Sequence, residues 1–116
     1  MQAKRIAVVE HNQEYPKNPG EYCGPIEEHE LGDGNRTYNG QVTGRYSYGV
    51  RQFLGKSLGR YVYFVVPKPG AVSCLRLKEG RWTFKEENDG TLTISPSINV
   101  EGRWHGYLKK GIWSDV

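Results

Sequence analysis

The chain has 116 residues, a formal net charge of +3, 36% hydrophobic residues, fifteen glycines and two cysteines. That length supports one domain, 1–116, with a single core, and is too short for paired cofactor and substrate domains. No run of 18 apolar residues occurs and the start offers only the short apolar stretch Ile6 to Val9, so neither a membrane span nor a signal peptide is expected, and the location expected is cytoplasmic.

Residues 12 to 35, rich in Asn, Pro, Gly and Glu, read as a long acidic loop running across the surface. Binding residues often sit on such loops. From Tyr38 to Val50 every even position is Tyr, Gly or Val, while odd positions 37 to 47 are polar. This period of two predicts a strand with one buried face, bent or bulged at Gly40 and Gly44. Val50, Phe53, Leu54 and Leu58 then follow helical spacing, with Gly59 as a stop, which predicts one short helix near 50–58. Tyr61 to Val66 is apolar throughout and predicts a central strand covered on both faces, ended by Pro67-Lys68-Pro69-Gly70.

The last third alternates strands and turns: Val72 to Lys78, a turn at Glu79-Gly80, Arg81 to Glu87, then Asn88-Asp89-Gly90. Asp-Gly between alternating segments is a strong hairpin signal, because both residues tolerate positive φ. Beyond it Leu92, Ile94, Pro96, Ile98 and Val100 share one parity, and Pro96, lacking an amide donor, marks an edge or a bulge. A turn at Glu101-Gly102 leads to Arg103 to Leu108 and to Ile112-Trp113. The fold class expected is mainly β: a curled antiparallel sheet or small sandwich with one short helix.

Charge is distributed unevenly along these elements. Between Arg36 and Lys85 there are ten Lys or Arg and a single acid, Glu79, interleaved with nine aromatic residues, while both flanks are acidic. Basic side chains among aromatics suit an anionic, planar partner, either a nucleotide or a nucleic acid. Gly49 to Ser57 approaches a phosphate-binding loop but has five residues between its glycines where that loop needs four, so NTP hydrolysis is not expected. A looser arrangement remains, in which Arg45, Arg51, Lys56 and Arg60 surround a phosphate while Tyr48 or Trp104 stacks on a base. The bland alternative has those cations solvating exposed strands and Trp82, Trp104 and Trp113 packing the core.

The C-terminal residues Arg81-Trp82-Thr83-Phe84, Thr91 to Ile98 with its Ser95-Pro96-Ser97-Ile98 segment, His105 and Lys110-Gly111-Ile112-Trp113 resemble a pattern in small phage and bacterial proteins of unknown function, some automatically labelled ammonia monooxygenase. The resemblance covers roughly 35 residues. In that family a cysteine cluster before the Trp strand and a cysteine beside the late His look like a zinc site; here Cys74 stands alone upstream and His105 has no Cys beside it. The resemblance therefore implies a zinc-free relative, phage-associated, acting in the host cytoplasm.

Cys23 and Cys74 are too few for a disulfide scaffold and are expected as free thiols. With His11, His29 and His105 they fit no common metal spacing, so no metal and no cofactor is expected. Cys74 or Ser97 could meet His105 after folding, as a nucleophile would meet its base. The neighbouring carboxylates Glu27-Glu28 and Glu86-Glu87 read as solvated faces. The function expected is a non-enzymatic binding module that sequesters an anionic small molecule such as a nucleotide, with nucleic acid as a further candidate. The alternative is a protein-interaction module, a phage inhibitor of a host protein or an assembly component, contacting its partner through Glu21 to Asp33 or the edge beside Pro96.

Overall fold

A computed structural model describes residues 1–7, 14–31, 54–68 and 74–116. These form eight strands: β1 (Lys4–Ile6), β2 (Glu21–Leu31), β3 (Leu54–Phe64), β4 (Leu75–Lys78), β5 (Thr83–Glu86), β6 (Leu92–Val100), β7 (Trp104–Lys109) and β8 (Ile112–Asp115). They make two four-stranded sheets, ordered β1-β2-β3-β4 and β5-β6-β7-β8. Every pairing is antiparallel except β1 with β2. The described residues contain no helix, and so no helix long and apolar enough to cross a membrane.

Two bent connections join the sheets. Between β4 and β5 the chain turns through Glu79 to Trp82, held by the Glu79 amide on the Arg60 carbonyl (2.9 Å) and the Trp82 amide on the Lys78 carbonyl (3.4 Å). At the opposite seam the Ala3 amide donates to Gly111 and the Trp113 amide to Met1, both at 2.8 Å, before the same N-terminal segment enters the other sheet as β1.

Alternation explains the core. Val62, Phe64, Leu77, Phe84, Leu92, Ile94, Ile98, Trp104, Leu108 and Trp113 point inward and form one cluster, with Trp82 and Val100 packed against it. Trp113 stacks on Phe64 with ring centroids 5.3 Å apart, meets Trp104 edge-on at 5.6 Å and donates its indole N–H to the Gly20 carbonyl at 2.8 Å. One side chain of β8 thus ties both sheets together. The run from Tyr61 to Val66 is buried without exception, as its apolar sequence requires of a central strand.

Two expectations change. The helix near 50–58 is absent where it can be followed: Leu54 to Leu58 is the first half of β3, pairing with β2 as far as Leu31, and positions 50–53 lie outside the described residues. Helical spacing of Leu54 and Leu58 is outweighed by the ladder to β2, and Gly55 and Gly59 oppose a helix locally. The acidic loop at 12–35 contains the eleven-residue strand β2, leaving 14–20 as its described irregular part. The register of β2 skips between Cys23 and Ile26, flanking Pro25, which has no amide to donate. The strand predicted for Tyr38 to Val50 lies outside the described residues.

Candidate anion-binding face

The sequence placed its phosphate site at Arg45, Arg51, Lys56 and Arg60, with Tyr48 or Trp104 as a stacking surface. Arg45, Tyr48 and Arg51 lie outside the described residues, and Lys56 is a backbone position on β3. Arg60, also on β3, is exposed but engaged, its Nε lying 3.3 Å from Glu79 Oε2. Trp104 is 5% exposed on the inner side of β7, donates its indole N–H to Asp115 at 2.8 Å and packs on Trp113. It is a core residue rather than a stacking platform, because parity along β7 sends it inward with Gly106 and Leu108. Arg60 and Trp104 belong to different sheets.

Next to Arg60 a cleft of about 520 Å³ opens, lined by Pro25, Glu27, Arg60, Phe84 and Glu86. Its charged rim is mixed. Arg5 spans one lip, with Nη2 on the Gly24 carbonyl (3.2 Å) and on Glu86 (3.1 Å), and Nη1 on the Gly90 carbonyl (3.3 Å). Both guanidiniums are already met by carboxylates, and Glu27 and Glu86 would repel a phosphate. The cleft does not suit an anion.

The outer face of the first sheet carries a buried polar cluster that sequence reasoning missed. Glu28, read as a solvated carboxylate, is 2% exposed; it accepts the Tyr63 hydroxyl and, at 3.2 Å, Arg76 Nη1. Arg76 also lies over the Tyr61 ring, 4.5 Å from its centroid, and Tyr15 meets Tyr63 edge-on at 5.0 Å. Alternation gave no signal for this burial, since it puts Glu28 on the outer side with Tyr63 and sends Glu27 to the other side with Arg60. Paired and hydrogen-bonded, the cluster locks β2, β3 and β4 together. Cys23 lies on β2 and Cys74 just before β4; burial pushes the first thiol up to about 11 and the second up to about 12. Neither is a ready nucleophile at neutral pH. Among the described residues no group of three or more His, Cys, Asp or Glu could hold a metal ion.

The outer face of the second sheet is different. Its outward positions are Thr83 and Lys85 on β5, Thr93, Ser95, Ser97 and Asn99 on β6, His105, Tyr107 and Lys109 on β7, and Ile112 and Ser114 on β8. None is a carboxylate. Glu87, just past β5, accepts the Thr93 hydroxyl at 2.8 Å and lies 3.8 Å from Lys85 Nζ, and Asp89 lies within electrostatic reach of Lys110. Lys109 Nζ sits 4.8 Å from the centroid of the half-buried Tyr107 ring, and His105 Nε2 lies 3.0 Å from Ser97 Oγ. Arg103 and Lys110, exposed in the turns at either end of β7, extend the basic character.

Folding thus joins Ser97 to His105, one of the two nucleophile–base pairs considered from sequence, while Cys74 lies in the other sheet's connection. A reacting serine also needs its histidine oriented by a third group and donors for the developing oxyanion. Among the described residues no hydrogen bond reaches His105 Nδ1. The pair lies on a polar, cationic surface. Comparison with protein-family models, with curated proteins and with solved structures finds no match.

Proposed function

We propose that this protein is a non-enzymatic binding module that captures an anionic, phosphate-bearing ligand on the outer face of the β5–β8 sheet. The observation that carries this reading is the composition of that face: two lysines, a histidine and a row of hydroxyls, with no carboxylate among its outward strand positions. Lysines supply the Coulomb attraction and the Ser, Thr and Asn side chains supply hydrogen bonds to phosphate oxygens. The central basic section of the sequence contributes to the reading through Lys85, and the bases of 36–53 lie outside the described residues.

Titration calorimetry with inorganic tripolyphosphate and with nucleoside triphosphates tests this. Saturable binding that weakens with added salt, and that Lys85→Ala with Lys109→Ala reduces, is the expected result. Silence across the panel rejects it. A protein-interaction module is the second reading, favoured by one specific feature: Met1 and Ile112, exposed by 60% and 48%, lie where the N-terminal segment pairs with β8. For that reading a stable, nuclease-resistant complex disrupted by Ile112→Asp is expected.

A further inference from the structure

Resting on the phosphate-binding reading of the same face, we infer that its ligand is single-stranded nucleic acid, with bases seated on Tyr107 and His105 and the backbone led by Lys85, Lys109 and Lys110.

The register supplies the layout. Lys85 pairs with Thr93 across β5–β6, the Ile94–Leu108 pair places Thr93 beside Lys109 across β6–β7, and Lys109 pairs with Ile112 across β7–β8. One row across the sheet thus reads Lys, Thr, Lys, Ile, its two ammonium groups rooted two strands apart, about 10 Å. Along β7 the outward residues His105, Tyr107 and Lys109 follow at steps of about 7 Å. Two ring systems therefore stand side by side along one strand, flanked by cations and by acceptor–donor hydroxyls on β6. A free phosphate or a mononucleotide uses only one part of this strip. A polymer with unstacked bases uses all of it, as aromatic residues on open sheets do when they bind single strands.

Stacking in a duplex hides base faces from such a surface, which is why a single strand rather than a duplex fits. In the free protein Lys109 rests over the Tyr107 ring. That ring is the position a base would take, and the lysine displaced from it would meet the adjacent phosphate. The pairing of Lys85 with Glu87 is long, at 3.8 Å, and the Lys85 side chain is 70% exposed, so this cation remains available to a polyanion.

Fluorescence anisotropy with a labelled twelve-nucleotide oligothymidylate, a labelled abasic twelve-mer of the same backbone and inorganic polyphosphate as competitor separates the two levels of the idea. The expected result is binding of the oligothymidylate about tenfold tighter than the abasic strand. Tyr107→Ala should remove that preference and Tyr107→Phe should keep it, with unchanged thermal melting showing that the sheet persists. Lys85→Ala and Lys109→Ala should weaken both strands and lower the salt slope by about 0.7 each. Equal binding of the two strands, indifferent to Tyr107→Ala but sensitive to the lysines, overturns the nucleic-acid inference and leaves the anion-binding face standing. No binding of either strand or of polyphosphate overturns both.

Discussion

Cys23 and Cys74 show how burial settles the chemistry of a side chain that the sequence leaves open. Both are expected as thiols, and no disulfide joins them among the described residues. Their ionisation is displaced upward chiefly by desolvation, helped at Cys74 by its proximity to Cys23 and opposed at Cys23 by Arg5. An unfolded thiol ionises near 8.5. The folded state therefore keeps its thiol protons to higher pH than the unfolded chain, so stability from this source is intact below about pH 8.5 and is lost as pH rises toward 11 and 12. Alkylation by iodoacetamide at pH 8 is expected to be slow in the native protein and fast in urea, with the Cys74 rate still climbing beyond pH 10. Rapid labelling at pH 7 would contradict this. Glu21 is displaced the opposite way: the backbone amides of Lys17 and Asn18, at 3.0 and 2.9 Å, hold its carboxyl below the usual range. Its contribution is present above the unfolded value near 4.3 and is lost as pH falls through the folded value. Glu21→Ala is expected to cost about 1–3 kcal/mol in chemical denaturation at neutral pH, an effect that shrinks in acid.

At the scale of elements, what was legible in the sequence follows from how local its cause is. The β5–β6 hairpin was readable because Asp89-Gly90 makes its own turn: Gly90 has φ of 84°, and Asp89 Oδ1 accepts both the Thr91 amide and its hydroxyl. The Pro96 bulge was readable for the same reason, and the register between β6 and β7 shifts between Ile94 and Ile98. Strand β2 and the first half of β3 were not, because each is a strand by virtue of the other; Glu, His, Pro and Gly in β2 carry no strand preference of their own. The candidate face was half legible. Its period-two pattern showed which side faces out, but charge counted along the chain pointed to 36–85, whereas pairing gathers Lys85 with Lys109 and His105 from beyond that section. Gly106 carried no signal at all, yet the Trp104 ring lies over it, and a Cβ there would overlap both that ring and the Ser114 carbonyl oxygen. Gly106→Ala is expected to destabilise by about 1–3 kcal/mol or more in chemical denaturation, since neither the backbone nor the buried ring can give way cheaply. A neutral outcome would contradict the placement of Trp104.

Across the whole molecule the two sheets share one core and two corners, so they are expected to unfold together. The Cα radius of gyration of 14.5 Å lies near the about 13 Å of a compact chain of this length. Trp113 is the residue on which this unity depends most, contacting Phe64 of the first sheet and Trp104 of the second while its indole N–H reaches Gly20. Trp113→Ala is expected to cost about 3–5 kcal/mol and to lower a single transition seen alike by tryptophan fluorescence and far-ultraviolet circular dichroism. Separate transitions for the two probes would contradict a shared core. The same architecture separates two possible binding surfaces, the mixed-charge cleft by Arg60 and the cationic face of the second sheet, at whose β8 edge Ile112 lies. The central claim is that anions are captured by the second of these. A nuclear magnetic resonance titration of the labelled protein with oligothymidylate decides it most directly. Shifts concentrated at Lys85, Thr93, Ser97, His105, Tyr107 and Lys109 are the expected result. Shifts confined to Glu27, Arg60 and Glu86, or none at saturating strand, would contradict it.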